Sequence, residues 1–164
     1  MEFCMRTVYL PPVSSAMPLY REPASAETEV RARVLVWCSA WSSVNGAFQT
    51  DTLRGIAAPG PVRLAADFGR DVAVCASFEE YAAFWSPLLT QTFSDWTLIA
   101  DPPIEVRVQD GMAAATFSSR FHGISQNGRS MSQRQRVLQV WEKFDGVWRL
   151  SHEQTTVDSE GACM

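Results

Sequence analysis

The chain has 164 residues, 46% of them hydrophobic, with fourteen Lys and Arg against eighteen Asp and Glu for a net charge of −4. At the usual ~100–200 residues per domain this is one compact unit. It is too apolar to be disordered and lacks the basic excess that nucleic acid or an anionic membrane surface attracts.

Residues 1–24 hold Pro11, Pro12, Pro18 and Pro23 with little periodicity and read as a proline-rich arm, laid against a partner subunit. Met1 to Tyr20 does not read as a secretory signal: it opens on Glu2, and Pro11-Pro12 interrupt its apolar stretch. No run approaches the ~18 apolar residues needed to cross a bilayer. Cys4, Cys38, Cys75 and Cys163 are scattered without C-x-x-C spacing, which fits free thiols in a cytoplasmic protein. The folded domain is expected over 25–157, with 158–164 as a tail.

Ser25 is a candidate N-cap, with Glu27 and Glu29 in the first turn. Val30, Val34, Trp37, Cys38, Trp41 and Val44 then form one stripe of an amphipathic helix, ended by Asn45-Gly46. A short helix follows around 48–57, closed by Pro59-Gly60-Pro61, and 62–68 reads as a short strand. Ser77-Phe78-Glu79-Glu80 is a capping box, and Tyr81, Phe84, Trp85, Leu88 and Leu89 recur behind it at helical spacing. After these three helices the period changes. Asp110-Gly111, Asn127-Gly128 and Asp145-Gly146 separate runs of β-branched and aromatic residues, predicting an antiparallel meander over 104–109, 112–126, 129–144 and 147–157. The two middle strands are long enough to need bulges, with Gly123 a natural place for one. The predicted fold is α+β: a half-barrel, with three N-terminal helices packed on a curled antiparallel meander.

Two-residue loops at Asn127-Gly128 and Asp145-Gly146 place Thr116, Ser118, Arg120, His122, Gln133, Gln135, Val137, Gln139, Trp141, Trp148, Leu150, His152 and Gln154 on one face. Phe117, Phe121, Arg134, Arg136, Leu138, Val140, Glu142, Phe144, Arg149 and Glu153 fall on the other. A three-residue loop Gln109-Asp110-Gly111 brings Ile104, Val106 and Val108 onto the first face, which becomes the concave interior. The second, mixing apolar side chains with charges, then suits packing against another subunit.

The stretch Val140-Trp141-Glu142-Lys143-Phe144-Asp145-Gly146-Val147-Trp148-Arg149-Leu150-Ser151-His152-Glu153 resembles the last hairpin of SnoaL-like proteins and of the association domain of calcium/calmodulin-dependent kinases. Asn45-Gly46-Ala47-Phe48 resembles the junction after their first helix. Three helices before a curled meander is similar to the nuclear transport factor 2-like superfamily, which also includes ketosteroid-isomerase-like proteins. The resemblance implies that the half-barrel is cone-shaped and cystatin-like, with a pocket at its wide end, and that the protein is a homodimer, in enzymes and non-enzymes alike. It places Arg120 near a pocket arginine of the kinase association domain, whereas Gln139 stands where that domain has a second. His152 and Gln154 stand where many relatives carry His-x-His. Asp67 is the nearest match to the catalytic Asp of ketosteroid isomerases, but Trp37 and Trp41 stand where those enzymes carry Tyr, so steroid isomerisation is not implied.

The candidate catalytic residues are Asp67 and His152, and the candidate ligand-binding residues are Trp37, Arg120, His122, Gln139, Trp141 and Gln154. Each has a plainer reading. Arg120 either holds a ligand oxygen or pairs with an acid such as Glu105. His152 is either a general acid/base or a buried histidine bonded to Gln139. Asp67 is either a base in an apolar pocket or a solvated acid before Gly69. Two histidines without ligand spacing assign no metal, and no fingerprint assigns a cofactor. The expected function is small-molecule binding with proton transfer of isomerase, cyclase or dehydratase type on an apolar substrate. The alternative is a non-catalytic association or ligand-sensing domain that dimerises through its outer sheet. Neither nucleic acid nor membrane is an expected partner.

Overall fold

The computed structural model describes residues 24–69 and 71–158, so most of the expected arm and tail lie outside the described residues. In chain order the elements are α1 (Ala26–Trp41), α2 (Thr50–Ile56), β1 (Arg63–Asp67), β2 (Val72–Cys75), α3 (Phe78–Thr92), β3 (Phe93–Gln109), β4 (Met112–Ser125), β5 (Ser130–Phe144) and β6 (Val147–Val157). The strands form one sheet in the order β2-β1-β6-β5-β4-β3. The predicted α+β class holds, with helices covering a curled sheet. The sheet is nevertheless mixed, because β1 runs parallel to β6 and β2 extends it as an antiparallel edge. Among the described residues no helix is long and apolar enough to cross a membrane.

Local chemistry accounts for the helices. Ser25 accepts the backbone N–H of Thr28, and Ser77 accepts that of Glu80 at 3.1 Å. The Glu80 carboxylate reaches back to the backbone N–H of Ala76 at 2.8 Å, a variant of the capping box. Helix α1 stops at Trp41, before the expected Val44, because Ser42 and Ser43 turn aside to bond β3. The Ser42 hydroxyl accepts the N–H of Leu98 at 2.9 Å, and Ser43 N–H donates to the Trp96 carbonyl at 2.9 Å. Val44 is left 54% exposed, in a tight turn whose centre, Asn45 and Gly46, has positive φ.

Two strand segments escape the sequence patterns. Strand β3 begins at Phe93, directly after α3, and runs through Pro102-Pro103 into the predicted segment 104–109. As β3 is the edge strand and its pairing skips between Asp101 and Glu105, the prolines cost no ladder bond there. Short β2 completes a hairpin with β1.

The hairpin loops decide which side chains face inward. Asp145-Gly146 is the predicted two-residue turn, with both residues at positive φ. Asp110-Gly111 is also a two-residue turn, not the predicted three-residue loop. Between β4 and β5 the opposite correction applies: Ser125 pairs with Arg129 around a three-residue loop, in which only Gly128 has positive φ. Gln126 is held back by α3, its backbone N–H on the Thr92 carbonyl at 3.0 Å and its side chain on those of Thr90 and Phe93. Strand β4 is therefore displaced by one residue from the prediction. Ala113, Ala115, Phe117, Ser119 and Phe121 face the core, while Arg120 and His122 face out.

The core lies between α1, α3 and the concave face. Trp37, Trp96, Trp141 and Trp148 are each at most 3% exposed, and Trp41 packs edge-on against Phe48, Trp85 and Phe121. Gly123 carries no bulge, contrary to expectation. It instead makes room for an aromatic pair: a Cβ there would lie 2.6 Å from the Phe93 ring and 3.0 Å from that of Phe121, whose centroids are 5.2 Å apart. Both rings are buried and have nowhere to move. Gly123→Ala should destabilise the fold by about 1–3 kcal/mol in denaturant titrations, with Phe93→Leu recovering part of the loss in the double variant. An unchanged midpoint in the single variant would contradict this packing.

Candidate functional site

Strand β6 contains the decisive irregularity. Leu150 pairs with Trp141 and His152 with Val140, so Ser151 is an extra residue with no partner on β5. Its hydroxyl donates to the Val140 carbonyl at 3.3 Å. Past this bulge the alternation is inverted. Trp148 and Leu150 point inward as predicted, but Glu153 and Thr155 follow them in, and His152 and Gln154 turn to the outer face.

The structure thus divides the candidate residues. Trp37, Gln139 and Trp141 are buried on the inner side. Arg120 is on the convex face, where its guanidinium bonds Asp101 at 2.9–3.0 Å; the acid it pairs with is Asp101, not Glu105. His122 is exposed, and His152 is exposed with Nδ1 3.2 Å from the Ser151 hydroxyl, so it makes no bond to Gln139. Gln154 is exposed beside Leu138. Asp67 ends β1 with its carboxylate accepting the backbone N–H of Gly69 at 2.8 Å, closing a turn away from the interior.

The acid that turns inward is Glu153, half-buried at the cavity wall. Directly across from Gln139 on β5, it accepts a 2.6 Å hydrogen bond from Gln139 Nε2. The orientation of that amide is set in turn by Trp141, whose indole N–H donates to Gln139 Oε1 at 3.2 Å. Burial pushes the Glu153 carboxyl up to about 7, against the opposing pull of hydrogen bonds from Gln139 and Trp37. Two further acids share the cavity wall. Burial raises the Cys38 thiol to about 12 and the Tyr81 phenol well above its ordinary value, and the neighbouring Glu153 raises both further. Tyr81 accepts the Trp41 indole N–H, which leaves the phenolic proton to donate.

The cavity that unites these groups measures about 40 Å³, and its wall is rich in aromatic side chains, from Trp37, Trp41, Tyr81, Trp85, Phe68 and Phe117. A water needs roughly 10–15 Å³ measured this way, so there is space for a few waters and not for the drug-sized ligand of a typical ~300–1,000 Å³ pocket. The pocket that the resemblance implies is narrowed to this size by those same side chains. Phe68 is the one exposed residue of the wall and lies 6.0 Å, ring to ring, from half-buried Trp85. These two rings stand where the cavity meets solvent. Cys38 and Cys75 are free thiols, and among the described residues no group of His, Cys, Asp and Glu is arranged to hold a metal ion.

No protein-family model and no curated protein matches the chain. Solved structures match it in fold. A nuclear transport factor 2-like superfamily protein from Salmonella enterica serovar Typhimurium has a TM-score of 0.68 at 20% identity, covering 84% of this chain and 94% of its own. A candidate calcium/calmodulin-dependent protein kinase II association domain from Xanthomonas campestris has a TM-score of 0.62 at 22% identity, covering 88% and 99%. A hexachlorocyclohexane dehydrochlorinase from Novosphingobium barchaimii has a TM-score of 0.61 at 11% identity, covering 80% and 83%. At these identities the likeness is one of fold, and the predicted resemblance to the superfamily is shown at that level.

Glu153 also makes stability depend on pH. Its folded pKa of about 7 lies above the ordinary carboxyl value of 4.5, so between the two the native state binds the extra proton and stability falls as pH rises. Relative to Glu153→Gln, the native chain should lose roughly 2–3 kcal/mol between pH 4.5 and pH 8 in urea titrations. A difference that stays flat over this range would mean that the carboxyl is solvated.

Proposed function

We propose that the protein binds a small, mainly apolar molecule in the cavity between α1, α3 and the sheet, and that Glu153 moves a proton on it. The observation that supports this reading is a single carboxyl, held by Gln139 at 2.6 Å, in a wall rich in aromatic side chains that carries no cation among the described residues. A group titrating near 7 is populated in both forms at neutral pH and serves as base or acid without a large penalty either way. Tyr81, with its proton free to donate, is the candidate partner for a developing oxyanion. Gln139 and Trp141 act as positioning residues. In this reading Glu153 takes the acid/base role first assigned to Asp67 and His152. The reaction type is enolisation-like: isomerisation, cyclisation or elimination. Entry of anything larger than a few waters requires Phe68 and Trp85 to part.

The outer face supports a second reading that is compatible with the first, association with another copy of the chain. Ile99 and Met112 are 53% exposed and Leu138 44% exposed there, among Arg107, Arg134, Arg136 and the Arg120–Asp101 pair. Apolar side chains interspersed with arginine suit a protein interface. Light scattering at micromolar concentration should give twice the 18.3 kDa chain mass, reduced to the single mass by Leu138→Lys. A native monomer would remove this second reading.

The proton-transfer reading is tested by solvent deuterium exchange at the α-carbons of small cyclic ketones, followed by NMR. The native protein should accelerate exchange at least ~100-fold over Glu153→Gln, the lower end of general-base contributions. Equal rates with both proteins would contradict the role given to Glu153.

A further inference from the structure

Among the described residues the wall around Glu153 contains no Lys, Arg or His, and none forms an ion pair with it. The other ionisable groups facing it, Cys38 from α1 and Tyr81 from α3, gain only negative charge when they ionise. From β5 it meets the Gln139 amide, and on β1 its backbone partner is the uncharged Leu64. The wall also contains six aromatic rings, and three of them are indoles, whose π faces are the best partners for a cation. Among the described residues, the ionisable groups of the cavity are therefore all acids. An anionic ligand meets the carboxylate with no cation among them to offset it, and a neutral one leaves the carboxylate without a counter-charge.

We propose that the molecule recognised in this cavity is a small organic cation, a protonated or methylated amine whose charge sits against the Glu153 carboxylate and whose alkyl groups lie on the indole rings of Trp37, Trp41 and Trp85. This rests on the reading of the cavity as a ligand site and names the ligand's charge. The site separates the two demands of such a ligand. The carboxylate answers the charge, and the ring faces supply apolar contact that is also favourable to it. A tetraalkylated nitrogen has no N–H to donate, so it needs no acceptor beyond the carboxylate's charge. Because the cation favours ionised Glu153, binding displaces its proton, and affinity should rise about tenfold from pH 6 to pH 8 for a group titrating near 7. Cys38 and Tyr81 titrate far above this range and do not contribute.

Three probes of similar size and opposite charge test the assignment on the full chain: tetramethylammonium chloride, tert-butanol and sodium pivalate, titrated at pH 8 by tryptophan fluorescence and thermal shift against matched sodium chloride. Tetramethylammonium should bind at least ten times more tightly than tert-butanol, and pivalate should not bind. Glu153→Gln, which keeps a side-chain carbonyl to accept from Gln139, should abolish the preference. Should that variant fail to fold, the tenfold loss of tetramethylammonium affinity at pH 6 in the native protein tests the same claim. Equal binding of the cation and the alcohol, preference for pivalate, or no binding of tetramethylammonium would each overturn the proposal. If tetramethylammonium fails while Glu153-dependent ketone exchange is observed, only the ligand's charge is wrong. If both fail, the cavity is not a ligand site.

Discussion

Between Leu150 and His152, β6 carries one residue more than the strand beside it, and the character of the interior follows from that residue. Without Ser151 as a bulge, strict alternation carries His152 and Gln154 into the core and leaves Glu153 in solvent. With it, a strand that begins by supplying Trp148 and Leu150 to the core ends by supplying a carboxyl to the same side. The bulged region is anchored from outside the hairpin as well: Ala58 N–H donates to the Leu150 carbonyl at 2.8 Å, tying the loop after α2 to the strand just before the extra residue. A buried carboxyl costs free energy unless it is bonded or neutralised. Gln139, itself fully buried and oriented by Trp141, offsets part of that cost, and a proton offsets the rest near neutral pH.

Much of the fold was legible because its signals are local. Caps at Ser25 and Ser77, the aromatic stripes of α1 and α3, and the doubly positive-φ turn at Asp145-Gly146 each depend on a few neighbouring residues. Face assignments depend on longer-range contacts. A two-residue reading of Asn127-Gly128 inverts β4, because it cannot know that Gln126 is bonded to the end of α3. A three-residue reading of the loop at Asp110-Gly111 inverts the next strand again. The two slips cancel in β3, so Ile104, Val106 and Val108 are correctly placed inward although the strand between them and β5 is not.

The candidate site shows the same division. Gln139, Trp141 and Trp37 lie on elements whose alternation or helical period is regular, and all three are inside. Arg120 and His122 sit on the slipped strand, and His152 and Gln154 lie beyond the bulge; all four are on the outer face. Glu153 was set on that outer face by the same unbroken alternation. One available sign was the apolar spacing itself: Trp148 and Leu150 alternate, and after Ser151-His152 the sequence offers no second apolar pair to continue them. Cavity size was legible only in part, since composition supplies six tryptophans but not the interlocking of Trp41, Tyr81 and Trp85 that shrinks the space to about 40 Å³.

The fold is shared with solved structures, and in this chain its interior holds one acid beside three indoles. The most direct test of this account is the titration of that acid, read from the side-chain carboxyl ¹³C resonance of Glu153 and assigned by its loss in Glu153→Gln. A midpoint near 7 is the expected result. A midpoint near the ordinary 4.5 would show that the carboxyl is bathed in solvent, and the site built around it would fall.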